Sequence, residues 1–157
     1  MFRMKRIITV VVLCLVAVSM PGCGDQNATY DDDAKIARTG ESSRTTAASS
    51  LIIGQDLSVS ATMTGDKTIW RHNAASDVDV TFSYSLSVTS GGKAKLVLIT
   101  PDDEVIVLIE NADNTQYTDL QSQTVSLKAG KNRIKIVGYD APKFELKLSA
   151  DAGQVEW

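Results

Sequence analysis

Val78-Asp79-Val80-Thr81-Phe82-Ser83-Tyr84-Ser85-Leu86-Ser87-Val88-Thr89 alternates apolar and polar side chains at every step. A helix would scatter Val78, Val80, Phe82, Tyr84, Leu86 and Val88 around its cylinder, whereas a strand sets all six on one face. One face therefore packs on a core and the other meets water. Ser90-Gly91-Gly92 ends the strand as a turn.

The same rhythm extends in both directions. Leu57, Val59, Ala61 and Met63 alternate with Ser58, Ser60 and Thr62, and Thr64-Gly65-Asp66 reads as a turn into a further strand from Lys67 to Arg71. Lys93 to Thr100 carries Ala94, Leu96 and Leu98 on one side and ends at a Pro101-Asp102-Asp103 turn. Val105 to Ile109 is apolar at every position, which predicts a strand that is central or covered on both faces. Val125 with Leu127, Ile134 with Ile136, and Phe144, Leu146 and Leu148 mark three more. About eight strands, no helical periodicity and turns at short intervals predict an all-β fold, an antiparallel two-sheet sandwich.

The 157 residues are 43% hydrophobic and 22% charged, a globular balance for one domain with an appendage. Two cysteines and one histidine exclude a disulfide framework, a four-cysteine zinc site and a histidine cluster.

Residues 1–22 read as a secretory signal peptide. Met1-Phe2-Arg3-Met4-Lys5-Arg6 is basic, and Ile7 to Val18 is an apolar run too short for the roughly 20 residues of a bilayer span. Losing this segment takes the net charge from −3 to −6, the wrong sign for a nucleic-acid partner, and no Walker-type phosphate loop follows Gly91-Gly92. Residues 23–50 read as a flexible tether, rich in Asp, Ser, Thr and Ala, with a root-mean-square span of roughly 30 Å. Asp31-Asp32-Asp33 within it reads as solvated charge rather than as a calcium loop. The folded domain is expected over residues 51–157.

Two resemblances add to this. Ser19-Met20-Pro21-Gly22-Cys23 resembles the lipobox of bacterial lipoproteins, with Met20 where leucine is usual and Pro21 where alanine or serine is usual. The resemblance implies a diacylglycerol on Cys23 and a membrane-anchored protein on the extracytoplasmic side; two acyl chains hold firmly where one does not. Lys93-Ala94-Lys95-Leu96-Val97-Leu98-Ile99-Thr100-Pro101-Asp102, with Leu127 to Ile136 and Phe144 to Leu148, looks like jelly-roll-type β-sandwich modules such as carbohydrate-binding and pre-peptidase C-terminal domains. That resemblance implies a binding or accessory role.

Catalytic candidates are few, and none is assigned. His72 is the only histidine, and no Gly-x-Ser-x-Gly elbow accompanies it. Asp102, Asp103 and Glu104 read as turn chemistry, and neither they nor the loop Asn111 to Asn114 show the spacing of a structural calcium site, so no cofactor is expected. The aromatics outside the alternation, Trp70, Tyr117 and Tyr139, are the candidates for stacking on sugar rings. Lys93, Lys95, Arg133 and Lys135 alternate opposite the core residues; on adjacent strands they would form a basic strip able to meet an anionic wall polymer. The expected function is a non-catalytic envelope lipoprotein that binds glycan or wall polymer. A small carboxylate-dependent hydrolase and a protein–protein interaction module are the alternatives.

Overall fold

The computed structural model describes residues 25–112, 115–116 and 119–157; the signal region, Cys23 and Tyr117 lie outside them. The strands are β1 (Ser42–Ile53), β2 (Asp56–Ala74), β3 (Val78–Ser90), β4 (Lys93–Ile99), β5 (Val105–Ala112), β6 (Thr115–Gln116), β7 (Gln121–Leu127), β8 (Gly130–Tyr139), β9 (Lys143–Ala150) and β10 (Gln154–Val155). They form one antiparallel sheet in the order β5-β4-β8-β2-β9-β3-β6, with β1 and β10 on β2 and β7 on β3.

The sheet curls into two layers because β2 belongs to both. Its first half pairs with β9 and its second half with β8. At the corner, Gly65 holds φ +93°, and a Cβ there would stand 1.8 Å from the Ser42 carbonyl oxygen, so only glycine fits. The expected turn at Thr64-Gly65-Asp66 is this bend within one continuous strand.

The core lies between the layers. Phe82, Leu86, Val88, Phe144 and Leu146 face Leu96, Leu98, Ile134 and Ile136 from the other side. The Tyr84 hydroxyl donates to Leu108 O and Asn111 Nδ2 donates to Leu86 O, both from one layer to the other. The period-two reading of these strands therefore holds. Val105 to Ile109 does not sit centrally: β5 is the edge strand of its layer, and Val107 is half exposed.

The largest departure from expectation is at residues 25–53, read as tether up to residue 50. Ser42–Ile53 is a twelve-residue strand hydrogen-bonded along β2, exposed on both faces and so without apolar alternation. Ahead of it, a 3-10 turn (Gln26–Thr29) and a one-turn helix α1 (Asp33–Ile36) lie across the outer face of β4 and β8. Asp32, from the acidic run, caps α1: its side chain accepts from Lys35 N at 3.1 Å. Tyr30, Ile36 and Ala37 pack on Val97, Ile99 and Val137 as a second small core. Full burial of a side chain the size of Ile36 contributes roughly 1.5–3 kcal/mol.

Candidate functional site

Lys95, Arg133 and Lys135 do share one face of adjacent strands, β4 and β8, as their alternation predicts. They are not a surface strip, because residues 25–41 lie over them. Lys135 is fully buried and its three ammonium protons are all used: Nζ donates to Arg38 O at 2.8 Å, Gly40 O at 2.9 Å and Asp66 Oδ2 at 2.6 Å. Lys95, 7% exposed, stands 4.7 Å from the Tyr30 ring centre. Arg133, also 7% exposed, donates from Nη2 to Ala37 O at 2.7 Å. Lys95 and Lys135 hold the N-terminal segment in place and are closed to a polymer lying over the sheet; Arg133 spends only part of its donors on that segment.

The aromatic candidates fare similarly. Trp70 is completely buried, edge-on to Phe82 at 4.9 Å, and its Nε1 donates to Ala152 O. The cause is a β-bulge between Thr68 and Trp70 that inserts Ile69 and flips the parity of β2. Ahead of the bulge Asp66 and Thr68 face outward; beyond it Trp70 faces inward. Tyr139 is 37% exposed, but it meets Tyr30 edge-on at 5.8 Å with Lys93 above its ring. It belongs to the seam with the N-terminal segment. His72 lies tilted against the Trp70 ring at 5.9 Å. Asp102 accepts from Thr100 Oγ1 and from Lys128 Nζ, and these bonds, that of Lys128 foremost, hold its carboxyl down at about 2. Among the described residues no three His, Cys, Asp or Glu side chains converge on a metal position.

With one outer face covered, the open sheet face is that of β1, the first half of β2, β9, β3 and β7. Strand register lines its residues into rows. Leu51 stands opposite Ser58, which is opposite Lys147, which is opposite Ser85. The next row is Ser49, Ser60, Glu145 and Ser87. On the other side run Ile53, Asp56, Ser149, Ser83 and Ser122. Two shallow depressions of about 250 and 160 Å³ meet at Ser58 and Lys147. Leu51 and Leu120, each 60% exposed, stand at their opposite rims. Lys143, Glu145 and Lys147 are exposed.

Chemically the exposed part of this face is a field of hydroxyls, each both donor and acceptor, with Lys147 as a cationic donor and Glu145 and Asp56 as anionic acceptors among them; Ser85 and Ser87 are buried. The outward Ser58, Ser60, Ser83 and Ser85 are visible in the alternation. What alternation does not give is that β9 lies between β2 and β3, bringing Lys147 and Glu145 among the serines.

No protein-family model matches the chain, and no curated protein matches it. Among solved structures it is similar to the carbohydrate binding module CBM6cm-2 from the Cellvibrio mixtus lichenase 5A, in complex with cellotriose. The identity is 15% over 71% of this chain and 91% of that one, with TM-score 0.37. It is also similar to TmCBM61 in complex with β-1,4-galactotriose, at 9% identity over 75% of this chain and 90% of that one, with TM-score 0.40. A third likeness is to the exo-β-1,3-galactanase of Phanerochaete chrysosporium with galactose, at 13% identity over 71% of this chain and 29% of that one, with TM-score 0.33. These neighbours are largely carbohydrate-binding modules, and no residue role is transferred from them.

Proposed function

We propose that this chain is a non-catalytic lipoprotein of the bacterial envelope whose open sheet face binds glycan. The observation that carries the reading is the row Leu51, Ser58 and Lys147, with its neighbour Ser49, Ser60 and Glu145. A pyranose presents hydroxyls at its edge and C–H groups on its faces. Serine hydroxyls, an ammonium and a carboxylate match the first, and the two rim leucines match the second. Shallow depressions suit a chain lying across the strands rather than a buried monosaccharide.

The anchor would be a lipid on Cys23, outside the cytoplasm. Cys23 is two residues ahead of Asp25, a reach of at most about 7 Å. With residues 25–53 folded, the domain would sit against the membrane instead of roaming on a long tether. The covered face of the sandwich, over which the segment from Asp25 lies, would then be on the anchor's side, and the open face would be left for polymer.

Retention of the purified full chain on insoluble wall glycan tests the reading. Replacing both Lys147 and Glu145 by alanine is expected to weaken retention by about tenfold, the scale of one charge-assisted hydrogen bond. Unchanged retention of the double variant would overturn it. The anchor has its own test: Cys23→Ser should move the protein from the membrane fraction to the medium, or leave its signal uncleaved.

The exposed apolar tip Leu51, Ile52 and Ile53 favours a second reading, a protein–protein contact. Ile52→Asp, at a position outside the rows of the open face, would abolish such a contact while leaving glycan retention intact.

A further inference from the structure

Arg133 is a buried cation whose donors are mostly unused. It lies on β8 opposite Arg71 of β2 and Ile99 of β4. Its Nη2 donates to Ala37 O, and Asp103 Oδ1 is 3.4 Å from the same nitrogen. Nε and Nη1 have no hydrogen-bond partner among the described residues. A guanidinium has five N–H donors, so three of them lack an acceptor in a group only 7% exposed. Buried donors without acceptors are rare, and each needs an explanation.

Arg133 lines a cleft of about 450 Å³ at the end of β8, within the roughly 300–1,000 Å³ of small-molecule sites. Lys131 adds positive charge to its wall, while Arg71 is paired with Glu156 and Glu41, and Asp103 is the one acid among the lining residues. Asn132 lines the same cleft. Its Nδ2 donates to Lys128 O and Gly130 O, which fixes the amide's orientation and leaves Oδ1 as a third buried atom at the cleft without a partner among the described residues. The cleft thus lacks acceptors at Arg133 and a donor at Asn132.

We infer that this cleft binds an oxyanion that carries a neighbouring hydroxyl. These atoms have almost no accessible surface, so binding would open the wall of the cleft enough for the anion's oxygens to meet the Arg133 donors, beside the charge of Lys131, and for the hydroxyl to donate to Asn132 Oδ1. A sugar acid and a polyol phosphate both have this chemistry. The site is separate from the open sheet face and shares no residue with it, so it stands or falls independently of the glycan reading.

The experiment is nuclear magnetic resonance of the arginine Nε–H groups in the full chain, held in detergent micelles. Sodium glucuronate and glycerol 3-phosphate are the two probes, and glucose is the neutral control. Saturable movement of the Arg133 resonance with either anion, absent with glucose, is the expected result; which anion acts identifies the source. Lys131→Glu, an exposed change, should raise the saturating concentration about tenfold or more while leaving retention on neutral glycan as it is. No movement with either anion, equal movement with glucose, or saturation unaffected by Lys131→Glu would overturn the inference.

Discussion

Lys135 Nζ stands 2.6 Å from Asp66 Oδ2, with both side chains shut off from solvent. The pair joins β8 to the corner of β2. Asp66 Oδ1 also accepts from Ser42 N at the start of β1, and Lys135 holds two carbonyls of the N-terminal segment. One ion pair therefore ties together the layers, the first strand and the cover.

Breaking it from one side leaves a buried charge alone. Lys135→Met is expected to cost about 3–5 kcal/mol of stability. Adding Asp66→Asn should restore part of that loss, since the stranded carboxylate is then gone. Urea unfolding of the two single variants and the double variant checks this; additive losses would show that the pair is not coupled.

Tyr30 gives the cover a pH dependence. Burial, and next the hydrogen bond its hydroxyl donates to Glu110 at 2.7 Å, hold its phenol well above the ordinary 10.0. The folded state therefore keeps a proton that the unfolded chain would release. The stabilisation is full below pH 10.0 and is lost as pH rises beyond it. Tyrosinate absorbance should show two tyrosines ionising late, Tyr30 and Tyr84, whose phenol burial also holds up, together with loss of folded structure. Tyr30→Phe should lose about 1 kcal/mol at neutral pH and flatten the alkaline loss. A Tyr30 that ionises near pH 10.0 would contradict its burial.

Trp70 separates packing from binding. Its indole lies in the core, so Trp70→Ala is expected to cost about 3–5 kcal/mol. Its fluorescence should be resistant to soluble quenchers and unmoved by added glycan. A glycan-dependent change in Trp70 emission would restore it as a stacking platform.

Much of this was legible in the sequence, for reasons that differ by element. Strands with one wet face, such as β3 and β9, announce themselves by alternation. The shared face of Lys95, Arg133 and Lys135 was legible too, because register follows parity. Their cover was not: it rests on Tyr30, Ile36 and Ala37, three apolar residues without periodicity in a polar stretch. Strand β1 was hidden because both its faces are exposed. Trp70 was misplaced because a single inserted residue, Ile69, reverses everything after it, and nothing in the local composition marks a bulge. The rows on the open face needed the strand order, which alternation does not contain.

The central claim is that glycan lies across β2, β9 and β3 on the open face. Backbone amide resonances of the full chain, followed while soluble wall-glycan fragments are added, test it most directly. The account predicts that the shifts concentrate at Ser58, Ser60, Glu145 and Lys147 and persist at high salt. Shifts confined to other surfaces, or none with any fragment, would contradict it.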